Sequence, residues 1–302
     1  MTTLLSIIIC TYNPDANRLQ QTITSLQNQS LPFDNWELII VDNNSFPAIN
    51  IDLSWHLHNQ IVKEQKPGLT YARLKGFRQA KGAFIVMVDD DNILDKDYLK
   101  NTLTTFTSND KLGAIGGKSI PLFEKTPPKW LKDFYGSLAL RDPGKNEMIA
   151  GWNNEYPACA PIGAGMGIRK KALETYIEKA KKGNITIADR TGNALSSGGD
   201  NDIVIEILKS GWQVGYFPVL ELKHIIPEQR MQVHYMARLL NNTNRSWVQL
   251  LEAHGINPWI KIPKWTVPFR KIKSWFTYRA WQNTSNYIKW HGACGMYDGL
   301  SQ

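Results

Sequence analysis

The chain has 302 residues, of which 42% are hydrophobic and 21% charged, with a net charge of +8 and three cysteines. This composition is typical of a soluble globular protein and excludes a disulfide scaffold. Cys10, Cys159 and Cys294 lack metal-type spacing, which predicts a reducing, cytoplasmic setting. We expect no signal peptide, because the N-terminus has no basic leader, and no apolar run reaches the roughly 18 residues of a membrane helix.

The chain alternates apolar, β-branched runs with amphipathic segments. Helices are predicted at 15–29, 69–81, 170–181 and 231–254, and strands at 4–10, 36–41, 61–64, 83–88, 112–117, 212–217 and 219–223. This alternation predicts a parallel, doubly wound α/β sheet that binds ligands at the carboxyl ends of its strands. No Gly-x-Gly-x-x-Gly or Walker loop follows the first strand, which excludes an ordinary dinucleotide or P-loop site.

Polar residues follow two of these predicted strands. Asp42 ends the second strand, where it could accept hydrogen bonds from a ribose or base, or simply form an Asx turn. Asp89, Asp90 and Asp91 end the fourth, and such crowded carboxylates resist desolvation. We therefore expect Asp89 and Asp91 to hold a metal–diphosphate. The alternative is a solvated acidic loop with an aspartate that caps the next helix.

Several motifs occur together, in a characteristic order and spacing. They are SIIICTYN at 6–13, IIVDNNS at 39–45, Ala-Arg at 72–73, Ala-Lys-Gly at 80–82 and VDDD at 88–91. In combination they resemble a family-two inverting glycosyltransferase. The resemblance implies a Rossmann-like type-A glycosyltransferase fold, with a mostly parallel central sheet flanked by helices, a nucleotide-sugar donor, and Mn²⁺ or Mg²⁺. One departure is Leu74, where the family often has asparagine.

The resemblance also implies roles for residues of the matched motifs. It puts Thr11 and Asp42 at the nucleoside, Arg73 near it, Asp89 near the sugar and ribose, and Asp91 on the metal. Tyr12, Asn13 and Asp90 belong to the same motifs and are included in the donor site without individual roles.

Acidic residues recur later, at Asp200 and Asp202 before an apolar helical face. By themselves they are typical of a helix N-terminus. The family has an acidic pair at this distance, usually Glu-Asp, and here Gly199 replaces the glutamate. The resemblance implies that Asp200 is the general base, and that Asp202 orients the acceptor or caps the helix.

Three further residues are candidates for the donor site. Gly165 lies in a glycine-rich stretch at 161–169 that resembles the family's segment at the sugar-binding face, where bare backbone would let the donor sugar approach closely. A lone histidine is usually structural, but His224 resembles a family position that closes the metal–diphosphate site. Arg230 is a candidate diphosphate contact.

In two segments the apolar residues show neither helical nor strand periodicity. Residues 119–156 are rich in proline and aromatic side chains, which suits either a packed insertion or an acceptor cleft with aromatic platforms. Residues 183–198 are polar, as in a lid or an ordinary loop.

The C-terminal tail is basic and aromatic. Residues 255–302 contain seven lysines and arginines against one acid, Asp298, and seven tryptophans or phenylalanines among other aromatics. This combination suits anionic lipid, nucleic acid, or an aromatic cluster packed on the domain. We favour packing together with peripheral membrane contact, and no nucleic acid, since no nucleic-acid motif accompanies the charge.

We therefore predict a catalytic, nucleotide-sugar-binding domain at 1–226 and a helical, basic, aromatic extension at 227–302. The predicted enzyme is a metal-dependent, inverting, hexosyltransferase-type glycosyltransferase. It would move a sugar, with a UDP-sugar favoured, to a carbohydrate or lipid-linked acceptor in polysaccharide or glycolipid biosynthesis, in the cytoplasm or at the inner membrane face. Alternatives are a nucleotidyltransferase, although no glycine-rich basic loop follows the first strand, and a non-catalytic nucleotide-binding or membrane-associated protein.

Overall fold

The computed structural model describes residues 4–183 and 198–301, which form two compact units. The described part of the first unit comprises 4–122, 139–183 and 203–225, and that of the second comprises 123–138, 198–202 and 226–301. Most of the polar segment predicted at 183–198 lies outside the described residues. The predicted functional division at residue 226 stays a prediction.

Four parallel strands begin the first unit. They are β1 (Leu5–Thr11), β2 (Trp36–Asp42), β3 (Asn59–Lys63) and β4 (Phe84–Asp89), in the order β3-β2-β1-β4. Helix α1 (Ala16–Gln27) connects β1 to β2, and α2 (Leu69–Gln79) connects β3 to β4. Asp15 caps α1 by accepting hydrogen bonds from the amides of Asn17 and Arg18. The predicted parallel alternation is confirmed here.

The strands that follow β4 in the chain include antiparallel pairs. They are β5 (Asn92–Leu94), β6 (Leu112–Phe123), β7 (Met148–Ala150), β8 (Gly167–Arg169) and β9 (Gln213–Ile226). The accompanying helices are α3 (Tyr98–Ser108), α4 (Glu174–Lys181) and α5 (Gly199–Lys209). β8 is antiparallel to β4 and β6, and β9 is antiparallel to β5 and β7. The sheet is therefore mixed, and the expected parallel arrangement holds for its first four strands.

Both faces of the sheet are buried. Leu5, Ile7 and Ile9 of β1 lie in one hydrophobic cluster, whereas Ile8 lies in a second cluster that includes residues of α2 and α5. Successive side chains of a strand point to opposite faces. A continuous apolar run such as β1 is therefore what a sheet covered on both sides requires.

Two details differ from the predicted elements. The segments expected as separate strands at 212–217 and 219–223 form one strand, β9, which continues through Pro218. β5, β7 and β8 were not predicted, because three residues are too few to show a period.

Gly116 and Gly117 end the strand predicted at 112–117, where glycine would let the backbone approach a ligand or a neighbouring strand. A Cβ added to Gly117 of β6 would overlap the carbonyl oxygen of Leu220 in β9 and lie 2.6 Å from the Phe217 oxygen. Of the two partners considered, a ligand or a neighbouring strand, the structure supplies the strand.

The second unit is mainly helical. It contains α6 (Val233–Ala253), α7 (Val267–Thr277), α8 (Thr284–Leu300) and a 3₁₀ segment at Lys129–Leu138. Gly295 of α8 approaches the Asn241 backbone of α6 so closely that a Cβ would overlap it. The side-chain amide of Asn241 also donates to the backbone carbonyl of His291 at 3.0 Å. Among residues 4–183 and 198–301, no helix combines the length and apolarity needed to cross a bilayer.

Replacing Gly117 with alanine tests the close approach of β6 and β9. We expect Gly117→Ala to lower the free energy of unfolding by about 3 kcal/mol, because backbone atoms must move to admit the methyl group. Urea denaturation measures the loss. Gly151→Ala is the matched control, since its Cβ would meet nothing within 4 Å. Equal stability of the two variants would contradict the expectation.

Candidate functional site

The carboxyl ends of β1, β2 and β4 bring candidate residues together. In register, Thr11 lies beside Asp42, and Cys10 lies beside Asp89. Paired strands are about 4.8 Å apart, so these positions are close neighbours. Thr11, Asp42 and Asp89 therefore lie at the same edge of the sheet, and their roles stay predictions.

The acidic loop after β4 is held by hydrogen bonds. The Thr11 hydroxyl donates to the Asp90 carboxylate. Asn92 accepts a hydrogen bond from the Asp89 amide and donates one to the Asp91 carboxylate, each at 3.2 Å. Asn92 is fully buried and Asp91 is only 6% exposed. The alternative of a freely solvated loop is therefore wrong for Asp91.

His224 lies against this loop because β5 pairs with β9. Asn92 is opposite His224 in register, and the Ile225 amide donates to the Asp91 carbonyl at 2.9 Å. The His224 Nε2 lies 3.3 Å from Asp91 Oδ1, and both side chains are buried. The structure thus brings together the two residues expected to be metal ligands.

The chemistry of this pair suits a divalent cation. Carboxylate oxygen suits Mg²⁺ and Mn²⁺, and imidazole nitrogen is a ligand of first-row transition-metal ions. Adjacent ligands of an octahedral ion with bonds of about 2.1 Å are separated by about 3 Å, close to the observed contact. Asp89 and Asp90, which are partly exposed, lie in the same loop. Asp91 and His224 therefore fit one cation.

The loop after β2 is built by its own polar side chains. The Ser45 amide donates to Asp42 Oδ1 at 2.8 Å, which is a local side-chain-to-backbone bond that holds this loop. Asn43 donates to the carbonyls of Glu64 at 3.0 Å and Lys66 at 2.7 Å, and it accepts from the amide that precedes α2 at 2.8 Å. These bonds tie together the loops that follow β2 and β3.

Tyr12 and Asn13 follow β1 in different environments. Asn13 has a left-handed backbone with φ of 47°, its amide donates to the Ser45 hydroxyl at 2.9 Å, and its side chain accepts from the Phe46 amide at 2.8 Å. Tyr12 is 54% exposed. Asn13 therefore shapes the loop, whereas the Tyr12 ring is accessible.

Cys10 lies among charged residues of this edge. Desolvation raises the pKa of its thiol to about 12, while the charge of Arg73 lowers that pKa and the charges of Asp89 and Asp90 raise it. Arg73 is buried on α2 and lies close enough to Cys10 for its charge to act on the thiol. Leu74, the departure from the family pattern, packs in the hydrophobic core.

Gly165 has a packing explanation. Its φ is +73°, and an added Cβ would lie 2.5 Å from both Leu222 Cδ2 and the Tyr98 hydroxyl oxygen. That hydroxyl donates to the Gly165 carbonyl at 2.6 Å. The glycine is thus required without any ligand, and its contact with a donor sugar stays a prediction.

Asp200 and Arg230 belong to the second unit. Asp200 lies in the first turn of α5, and Arg230 lies in a 3₁₀ turn at Glu228–Met231. Both side chains are partly exposed. Their roles as base and diphosphate contact stay predictions.

Asp202 has a different partner from those expected. Its carboxylate lies 2.7 Å from Nε2 of His254, and both residues are buried. One turn further along α5, Glu206 pairs with Lys179 of α4. Asp202 therefore joins α5 to the residue that ends α6.

Some residues of the site were not identified from the sequence. Asn43, Ser45 and Asn92 hold the loops, and Cys10 lies between the charged side chains. All four lie within or next to the matched motifs, which is the signal that could have identified them.

The strand order β3-β2-β1-β4 and the acidic loop at the carboxyl edge of these strands define a Rossmann-like α/β fold. Residues 6–177, more than half of the chain, match the family described as "Glycosyl transferase family 2". The chain belongs to this family.

Similar proteins agree with this assignment. A glucosyl-dolichyl phosphate glucuronosyltransferase of Haloferax volcanii is 24% identical over 158 residues, which is 50% of each chain. The minor teichoic acid biosynthesis protein GgaB of Bacillus subtilis is 30% identical over 39% of this chain and 13% of its own. The chain spans about half the length, or less, of these curated relatives.

A solved structure supports the fold. The crystal structure of Staphylococcus aureus TarS 1–349 matches 99% of this chain and 90% of its own, with a TM-score of 0.52 and 15% identity. The type-A glycosyltransferase fold predicted from the motifs is confirmed.

Asn92→Asp tests how the acidic loop is held. The substitution removes the donor to Asp91 and adds a fourth negative charge inside the protein. We expect a loss of about 2–3 kcal/mol in the free energy of unfolding at pH 7, measured in urea. Asn17→Asp is the control, because Asn17 is exposed in the first turn of α1, where a negative charge is tolerated. A loss no larger than in this control would contradict the role of Asn92.

The raised pKa of Cys10 predicts an unreactive thiol. In a Cys159→Ala/Cys294→Ala background, iodoacetamide at pH 8 should modify folded protein at least about 100-fold more slowly than unfolded protein. The reason is that the pKa is about 12 in the fold against about 8.5 in the unfolded chain, so less thiolate is present. Mass spectrometry over time measures both rates, and equal rates would contradict the raised pKa of the Cys10 thiol.

Proposed function

We propose that this protein transfers a sugar from a nucleotide-diphosphate sugar to an acceptor hydroxyl. The observation that carries the proposal is the convergence of Thr11, Asp42 and the acidic loop Asp89–Asp91 at one sheet edge of a family-two chain. The alternatives, a nucleotidyltransferase and a non-catalytic binding protein, are outcomes of the experiments below.

The donor would lie across the carboxyl ends of β1, β2 and β4. Thr11 and Asp42 would contact the nucleoside, with a UDP-sugar favoured, and the accessible Tyr12 ring offers a surface for stacking. Arg73 would lie near the nucleoside, and Asp89 near the ribose and sugar. The buried contact between Asp91 and His224 supports their role as ligands of Mn²⁺ or Mg²⁺.

The reaction needs a base and stabilisation of the leaving group. Asp200 would take the proton of the acceptor hydroxyl as that oxygen attacks the anomeric carbon. The bond to the diphosphate oxygen breaks at the same time, which inverts the anomeric configuration. When bound, the divalent cation supplies positive charge to the departing diphosphate. Arg230 would add a second positive charge there.

The acceptor is proposed to be a carbohydrate or a lipid-linked glycan. The Haloferax volcanii relative acts, by its name, on a glucosyl-dolichyl phosphate, and GgaB by its name belongs to teichoic acid biosynthesis. We infer a role in polysaccharide or glycolipid biosynthesis. The free cysteines Cys10, Cys159 and Cys294 support a cytoplasmic location.

Two substitutions should separate binding from chemistry. Asp200→Asn should reduce turnover by at least about 10³-fold, because the base is lost, while Mn²⁺-dependent UDP binding stays nearly unchanged. Asp91→Ala should lose that binding. Calorimetry with UDP and Mn²⁺ measures affinity, and release of nucleoside diphosphate measures turnover. Asp110→Asn, at an exposed aspartate, is the control. Wild-type turnover in Asp200→Asn would make the base assignment wrong.

A donor panel distinguishes the three functions. UDP-, GDP- and dTDP-sugars are incubated with the protein, Mn²⁺ and candidate glycan acceptors. A glycosyltransferase releases nucleoside diphosphate from these donors, and a non-catalytic protein binds them without turnover. In a parallel incubation with sugar phosphate and nucleoside triphosphate, a nucleotidyltransferase releases pyrophosphate. Proton NMR of the product then shows whether the anomeric configuration has been inverted.

A further inference from the structure

The helix α7 and the turn before it expose a row of large apolar side chains. Trp265, Phe269, Ile272 and Phe276 are each between 60% and 73% exposed. The last three lie within an arc of about 60° around the helix axis, since successive residues are 100° apart. Trp281, just beyond the helix, is also exposed.

The opposite face of α7 accounts for its packing in the second unit. Ser274 is buried, and the Trp275 ring lies 4.8 Å from that of Trp290 in α8. The Trp290 indole donates to the Lys271 carbonyl at 3.0 Å. The helix is therefore anchored by one face while a second apolar face points outward. A surface helix of a globular protein would normally have polar residues there.

The charges around the exposed row have one sign. Lys264, Arg270, Lys273 and Arg279 are exposed along the same turn and helix. Asp298 is the only acid in residues 255–302, and its carboxylate pairs with Lys271 at 2.7 Å. An apolar row flanked by cations is the pattern of a helix that lies in a membrane interface.

We propose that this surface binds an anionic lipid bilayer. The apolar face consists of Trp265, Phe269, Ile272 and Phe276, and the cationic rim consists of Lys264, Arg270, Lys273 and Arg279. The helix α7 would lie parallel to the membrane, with the apolar face among acyl chains and the cationic rim at lipid phosphates. This inference does not depend on which sugar or acceptor the protein uses.

A second copy of the chain fits this surface less well. Two copies facing each other through α7 would bring two cationic rims together, and like charges in a desolvated interface oppose association. Anionic headgroups instead complement the cationic rim. The charge of the surface therefore favours lipid as the occupant.

Vesicle flotation of the full chain, without nucleotide sugar, tests the proposal. Wild-type protein should float with vesicles of phosphatidylcholine and phosphatidylglycerol, bind phosphatidylcholine alone more weakly, and dissociate as salt rises. Phe269→Ser/Phe276→Ser should weaken binding by about tenfold or more, because it removes buried apolar area. Arg270→Glu/Lys273→Glu should abolish the preference for anionic vesicles.

Matched controls come from the first unit. Phe46→Ser/Leu57→Ser removes two exposed apolar side chains, and Lys96→Glu/Lys100→Glu reverses two exposed charges. Neither should change flotation, and circular dichroism checks that every variant is folded. The proposal is overturned if wild-type protein binds no vesicles, or if these controls lose binding as much as the α7 variants. It is also overturned if sedimentation shows that Phe269→Ser/Phe276→Ser dissociates an oligomer while vesicle binding stays unchanged.

Discussion

The candidate site depends on the register in which β1 pairs with β2 and β4. Ile7 and Ile9 lie in one hydrophobic cluster and Ile8 in the other. A slip of one residue would exchange these faces, so burial of the core opposes it. The same register sets Thr11 beside Asp42. The free energy that stabilises the core therefore also fixes the geometry of the site.

Strands β1 to β4 and their connecting helices could be predicted from the local hydrophobic pattern, because the strands are apolar runs and the helices are amphipathic. The contact between Asp91 and His224 could not, since it requires β5 to pair with a strand more than a hundred residues later. No period appears in three residues, and the sequence indicated His224 only through a family resemblance. Non-local pairing of short strands is information that local patterning does not contain.

The C-terminal tail, residues 255–302, shows a second limit of prediction from sequence. Its composition predicted both aromatic packing and outward aromatic contacts, but could not assign individual residues to either. Trp275 packs against Trp290, whereas Phe269 and Phe276 of the same helix point outward. Because α7 is apolar on two faces, its periodicity does not distinguish the inner face from the outer one. Tertiary contacts with α8 make that distinction.

Asparagine is the residue that organises the loops of the site. Asn43 and Asn92 each donate and accept hydrogen bonds with one side chain, which a carboxylate cannot do when ionised. Beside Asp91 the difference matters most, because a carboxylate at position 92 would add negative charge where a donor is needed. Asn92, the neutral residue that follows the acidic run, donates to its last carboxylate. Asp91 and the side chain that holds its carboxylate thus occupy adjacent positions.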